Sequence, residues 1–126
     1  MDEQKSPPKP LPFSRQPSFF ELYANNVNFE SNVWDLNIIF SLLDQVPGAP
    51  PFKQLGSVHI PWAQAKIMAY YLLMNIASQE TSHGKIVIPA PVAPPPADGL
   101  LKDFPDDEKA KALVERINRM RAELDI

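Results

Sequence analysis

Proline sets the limits of what this chain can fold into. Fifteen prolines stand against four glycines, with five before Phe19, three in Pro47–Pro51 and five in Pro89–Pro96. The other two, Pro61 and Pro105, stand alone. Proline fixes φ and lacks a backbone donor, which keeps it out of helix interiors and central strands. Regular structure is therefore confined to the stretches between clusters, chiefly Leu22 to Thr81. The organisation that follows is a disordered proline-rich tail over 1–18, an α+β core domain over 19–88, a proline-rich linker over 89–99 and an amphipathic helix over 100–126. The tail has too few bulky side chains to offset its ordering entropy, and its PPKPLPFSR run has the polyproline character that aromatic grooves recognise.

Within the core, Val33 to Leu42 alternates as a half-buried strand does. Trp34, Leu36, Ile38, Phe40 and Leu42 are set against Asp35, Asn37 and Ser41. Tyr23, Val27 and Phe29 share a parity upstream. A two-residue turn at Ser31-Asn32 would pair Phe29 with Trp34, Val27 with Leu36 and Tyr23 with Phe40, with Asn28 opposite Asp35 and Asn26 opposite Asn37. That register leaves Asn25 on the apolar face. An unpaired buried amide costs roughly 1–3 kcal/mol, so Asn25 is expected to bond a backbone group or a partner subunit, or to be turned away by a bulge.

The loop Asp44 to Gln54 is too short for a crossover helix, so a third strand at Leu55 to Ile60 should run antiparallel. Pro61 sits where a first-turn helical proline belongs, though Ile60 before it cannot cap. From there Trp62, Ala65, Met68, Ala69, Leu72, Leu73 and Ile76 form a stripe suited to covering the sheet. Ile67, Tyr70, Tyr71 and Met74 form a second stripe, which needs a second thing to pack against. Gly84 suits the helix end, and Lys85 to Ile88 is a candidate short extended return.

Pro89 to Pro96 reads as an extended spacer of about 3 Å per residue. Beyond it Leu100, Leu101 and Phe104 are apolar anchors, and Asp106 is the expected N-cap. Ala110, Leu113, Val114, Ile117, Met120 and Leu124 give a narrow stripe on a helix too short to be stable undocked.

Several chemistries find no support. A net charge of −3 gives no basic footprint for nucleic acid, and the absence of cysteine removes disulfides and thiolate metal sites. No apolar run approaches the roughly 20 residues of a membrane span, and the N-terminus is not a secretory signal, so a cytoplasmic protein is expected. His59 and His83 are remote in sequence from any carboxylate motif, and no nucleotide-binding or nucleophile-elbow pattern occurs. Neither a catalytic residue nor a cofactor is expected. An enzyme would have to use the polar candidates Asn25, Asn26 and Asp35 in a pocket with His59.

The stretches LYANNVNFESNVWDLNIIF, VHIPWAQAKIMAYYLLMNIASQE and HGKIVIP resemble a bacterial domain family of unknown function, number 3467. The resemblance rests on Tyr23, Ala24, Asn25, Asp35, Phe40, Pro61, Ala65, Lys66 and Gly84; Ile60 departs from it, standing where the family carries a serine. It implies a fold and assigns no activity. The first strand is also similar to that of the export chaperone SecB, which implies chaperone or peptide-binding activity as an alternative.

The fold expected is α+β: a small antiparallel sheet of three to four strands, one long helix on one face, and a proline-tethered C-terminal helix. The function expected is a non-enzymatic, self-associating interaction module, a homodimer open to a protein or peptide partner. Its interface candidates are Ile67, Tyr70, Tyr71, Met74, Leu113, Ile117, Met120 and Leu124.

Overall fold

The computed structural model describes residues 7–8, 12–43, 48, 52–103 and 106–126. Expectations for most of the tail, for the middle of the loop after Leu43 and for Phe104 lie outside these residues. Three strands, β1 (Asn26–Ser31), β2 (Asp35–Leu43) and β3 (Phe52–Pro61), form one antiparallel sheet in that order. Helix α1 (Trp62–His83) follows, then 3₁₀ turns at Ala90–Val92 and Ala97–Leu101, then helix α2 (Glu108–Leu124). The architecture is α+β with three strands among the described residues, and Lys85 to Ile88 forms none. The chain divides into two compact units, Met1–Leu72 and Leu73–Ile126, so the first half of α1 belongs with the sheet and the second with the C-terminal elements.

In the first unit the hairpin takes a register other than the one its alternation suggests. Val27 lies opposite Phe40, not Leu36, and the last pair is Ser31 with Leu36. The cause is Asn32. Its Oδ1 accepts from the backbone N–H of Trp34 (2.7 Å) and of Asp35 (2.8 Å), and its Nδ2 donates to Asp35 Oδ1 (2.8 Å). Its own N–H donates to the Asp35 carbonyl at 3.1 Å. These local bonds build a turn over Asn32–Asp35, which replaces the two-residue Ser31-Asn32 turn. Val33 and Trp34, expected in the strand, sit at the turn tip, each 84% exposed.

Because the slip is even-numbered, the faces survive it. Val27, Phe29, Leu36, Ile38 and Phe40 still share the apolar face, while Asn28 now faces Ile39 and Asn26 faces Ser41. Strand β3 is longer than its expected Leu55–Ile60 core. Val58 pairs with Ile38 and Ile60 with Leu36, and Leu55 is the extra residue of a bulge between the Phe40–Gly56 and Ser41–Gln54 pairs. Ile38 and Ile60 are buried at this centre, and Ser41 is fully buried.

Helix α1 starts at Trp62, so Pro61 ends β3, paired with Asp35, and is not the first helical residue. Ala65 and Met68 are half-buried, but among the described residues no α1 side chain is buried, and within the first unit the backbone of residues 62–72 does not close on any strand. The burial expected for the Trp62–Ile76 stripe is not reached. The physical reason is the joint: β3 runs into α1 with no intervening residue, leaving no loop with which the helix could double back over the sheet. Gly84 ends the helix as expected, at φ 92° with its N–H on Glu80 O at 2.9 Å.

In the second unit the Ile86 N–H donates to Glu80 Oε2 at 3.0 Å, drawing the chain back beside the helix end. Pro89 and Ala93 hold extended dihedrals, but the 3₁₀ turn between them bends the linker, so it is not extended throughout as expected. The N-cap of α2 is Asp107, one residue after the expected Asp106; its Oδ1 accepts from Lys109 N at 2.9 Å. Val114 is buried, and α2 packs on the 3₁₀ turn Ala97–Leu101, where Leu101 is half-buried as an anchor should be.

Candidate functional site

The polar candidates do not converge. Asn25 Oδ1 accepts from the Leu43 N–H at 2.7 Å, and the Asn25 N–H donates to Ser41 O at 3.2 Å. This is the backbone bond its position called for, and Asn25 is exposed. Asn26 is half-buried opposite Ser41 at the same open end of the hairpin. Asp35 lies at the turn, the other end of the hairpin, so the three do not form one constellation.

Asp35 has a different neighbour. Its Oδ1 lies 3.8 Å from His59 Nδ1, beyond hydrogen-bond length, and the two side chains are 35% and 59% exposed. Their proximity comes from the β2–β3 register, in which Asp35 faces Pro61 and Asn37 faces His59, making the pair diagonal neighbours. Nothing in the linear sequence brings residues 35 and 59 together, which is why His59 looks isolated there. The same corner holds a joint that sequence reasoning missed: Trp62 Nε1 donates to the Asn32 carbonyl at 2.8 Å. Asn32 thus builds the hairpin turn with its side chain and clasps the first residue of α1 with its backbone. The only advance signal is the N-x-x-D spacing of Asn32 and Asp35, a turn-forming arrangement.

Two polar atoms on the central strand, Asn37 Oδ1 and Ser41 Oγ, are buried without a hydrogen-bond partner among the described residues. They lie on the face opposite Ile38, beside Asn26, Glu30 and Gln54. No group of three or more His, Asp or Glu side chains able to hold a metal ion occurs among the described residues. Nor does any helix there have the length and apolarity to cross a membrane.

The apolar candidates are more informative. Ile67, Tyr70, Tyr71 and Met74 are all exposed, and so are Leu72 and Leu73 on the opposite stripe. The Tyr70 and Tyr71 rings meet edge to face at 5.3 Å. An apolar run of this kind in water, on a helix that buries nothing, is far larger than the isolated apolar side chains normal on a surface. On α2, Leu113 and Met120 are exposed while Ile117 and Leu124 are half-buried. Leu124 and Met120 line a groove with Leu73, Ile76 and Ala77 of α1. Above the sheet, Phe20, Leu22, Phe40 and Val58 line an open apolar cleft of about 640 Å³.

A family model described as "Protein of unknown function (DUF3467)" matches residues 2–88. The chain belongs to this family. The match covers the whole sheet and α1, and ends before the proline-rich linker and α2. No curated protein and no solved structure gives a significant match, and the likeness of the first strand to SecB gains no support.

Proposed function

We propose that this member of the DUF3467 family is a small, non-enzymatic protein-interaction module that works as a homodimer in the cytoplasm, with α1 as the surface on which two copies meet. One observation carries the reading: a 22-residue helix with apolar side chains on more than one side fully buries none of them among the described residues. Helices of this composition gain most of their stability from packing, so α1 calls for a covering surface. A second copy is the simplest one, because the same helix supplies the same stripe, and two-fold pairing is the commonest closed arrangement of identical chains. Ile67, Tyr70, Tyr71 and Met74 form the stripe proposed to meet its equivalent.

The test is the mass in solution. Light scattering over a wide concentration range should give twice the 14.2 kDa chain mass at high concentration and a fall toward it on dilution. A value of 14.2 kDa at every concentration would overturn the reading.

A peptide-binding or chaperone role is the second reading, supported by the open cleft at Phe20, Leu22, Phe40 and Val58. It requires that the protein slow the aggregation of an unfolding client at equimolar ratio, which a plain dimerisation module would not do.

A further inference from the structure

We propose that the free edge of β1 is a second contact of the same dimer, at which the other copy adds its own β1 to make one six-stranded sheet about the dimer's single two-fold axis, placed at Asn28. This rests on the self-association reading and goes beyond it in naming a surface and a register.

The three-stranded sheet has two outer strands, and they are not equivalent. Strand β3 carries the features that blunt an edge: the bulge at Leu55, the charge of Lys53 and a terminal Pro61. Strand β1, NVNFES, has no proline, no lysine and an unbroken pairing with β2 from Asn26 to Ser31. Its outward backbone groups are therefore a usable template for another strand. Val27 and Phe29, though on the apolar face, remain 44% and 60% exposed because β1 has a neighbour on one side only.

The occupant follows from the sequence of the edge itself. Set antiparallel to its own copy about Asn28, β1 places Val27 opposite the second copy's Phe29, and the symmetry repeats that pair. Asn26 then meets Glu30, also twice, and Asn28 meets Asn28. The apolar pairs continue the face that carries Leu36, Ile38 and Phe40, and the polar pairs continue the other face. No two like charges meet, which is the arrangement cross-strand pairing favours. The symmetry also closes, since the joined sheet would end on both sides in the protected β3 edge.

The test uses the absence of native cysteine. Asn28 and Ser57 are both exposed, on the two outer strands, so Asn28→Cys and Ser57→Cys are each tolerated by the fold. At the two-fold axis the Cα atoms of paired residues fall within disulfide range, so mild oxidation should cross-link Asn28→Cys at least about tenfold faster than Ser57→Cys. In the unmodified chain, amide exchange at Val27 to Ser31 should slow as the concentration rises through the dimer range. If light scattering shows a dimer but Asn28→Cys cross-links no faster than Ser57→Cys and the β1 amides exchange freely, the edge proposal falls and association through α1 stands. If light scattering shows only monomer, both fall.

Discussion

The two helices solve the problem of stability in opposite ways. Helix α2 is mostly polar and carries one inward stripe, with Val114 buried and Ala110, Ile117, Arg121 and Leu124 half-buried, and it packs on the 3₁₀ turn before it. It is held at both ends. Asp107 caps the N-terminus, Asp125 turns the C-terminus in the left-handed conformation at φ 57°, and the Ile126 N–H closes on Arg121 O at 3.1 Å. Arg121 reaches the carbonyls of Pro94 and Pro95 at 3.1 and 3.0 Å, fixing the linker to the helix. Helix α1 is longer, apolar on more than one side, without an acidic residue in its first turn, and buries nothing. What α2 satisfies against the turn before it, α1 is proposed to satisfy against a second copy. A helix can therefore be the more apolar of two and the less buried.

That contrast can be broken in four places. The largest effect is expected from Ile67→Glu/Met74→Glu, which puts two charges in the proposed α1 interface. Two desolvated carboxylates should weaken association by at least about 100-fold, read as a shift of the dimer–monomer midpoint in sedimentation. An unchanged midpoint would remove α1 from the interface. Val114→Ala should lower unfolding stability by about 2 kcal/mol in a denaturant titration while leaving that midpoint in place. A loss of association instead would mean that α2 also serves the assembly. Asp107→Ala removes the cap of α2 and should cost about 1 kcal/mol, with helical signal lost from that helix alone. The smallest change belongs to Lys85→Ala. The Lys85–Asp125 ion pair is 63% and 64% exposed at its two ends, so its loss should stay below about 0.5 kcal/mol and vanish in high salt.

Much of this was legible from the residues. Proline placement bounded the sheet and both helices, alternation put Val27, Phe29, Leu36, Ile38 and Phe40 on one face, and the helical stripes placed Ile67, Tyr70, Tyr71 and Met74 together. The hairpin register was not legible. Alternation has period two, so slips of two or four residues leave the apolar face intact, and only Asn32, by binding Trp34 and Asp35, decides among them. The surroundings of α1 were equally hidden, because periodicity tells which side of a helix is apolar but not what lies against it. For the polar candidates, Asn25 needed a backbone partner and has one in Leu43. The approach of Asp35 to His59 depends on a strand register that no local pattern encodes.

The joint between β3 and α1 has a consequence for how the chain can vary. Pro61 is paired with Asp35 in the sheet, and Trp62 is already helical and tied to Asn32. The rotational phase of the helix is thus inherited from the sheet, as a bit is set by its chuck. One residue inserted between Pro61 and Trp62 would turn the side chains of residues 62–72 by about 100° about the helix axis relative to the sheet, since a helical residue advances by that angle. Ile67 would then point where Met68 now does. Length changes should be tolerated after Gly84, where the chain is no longer in register with the sheet, and rejected at this joint.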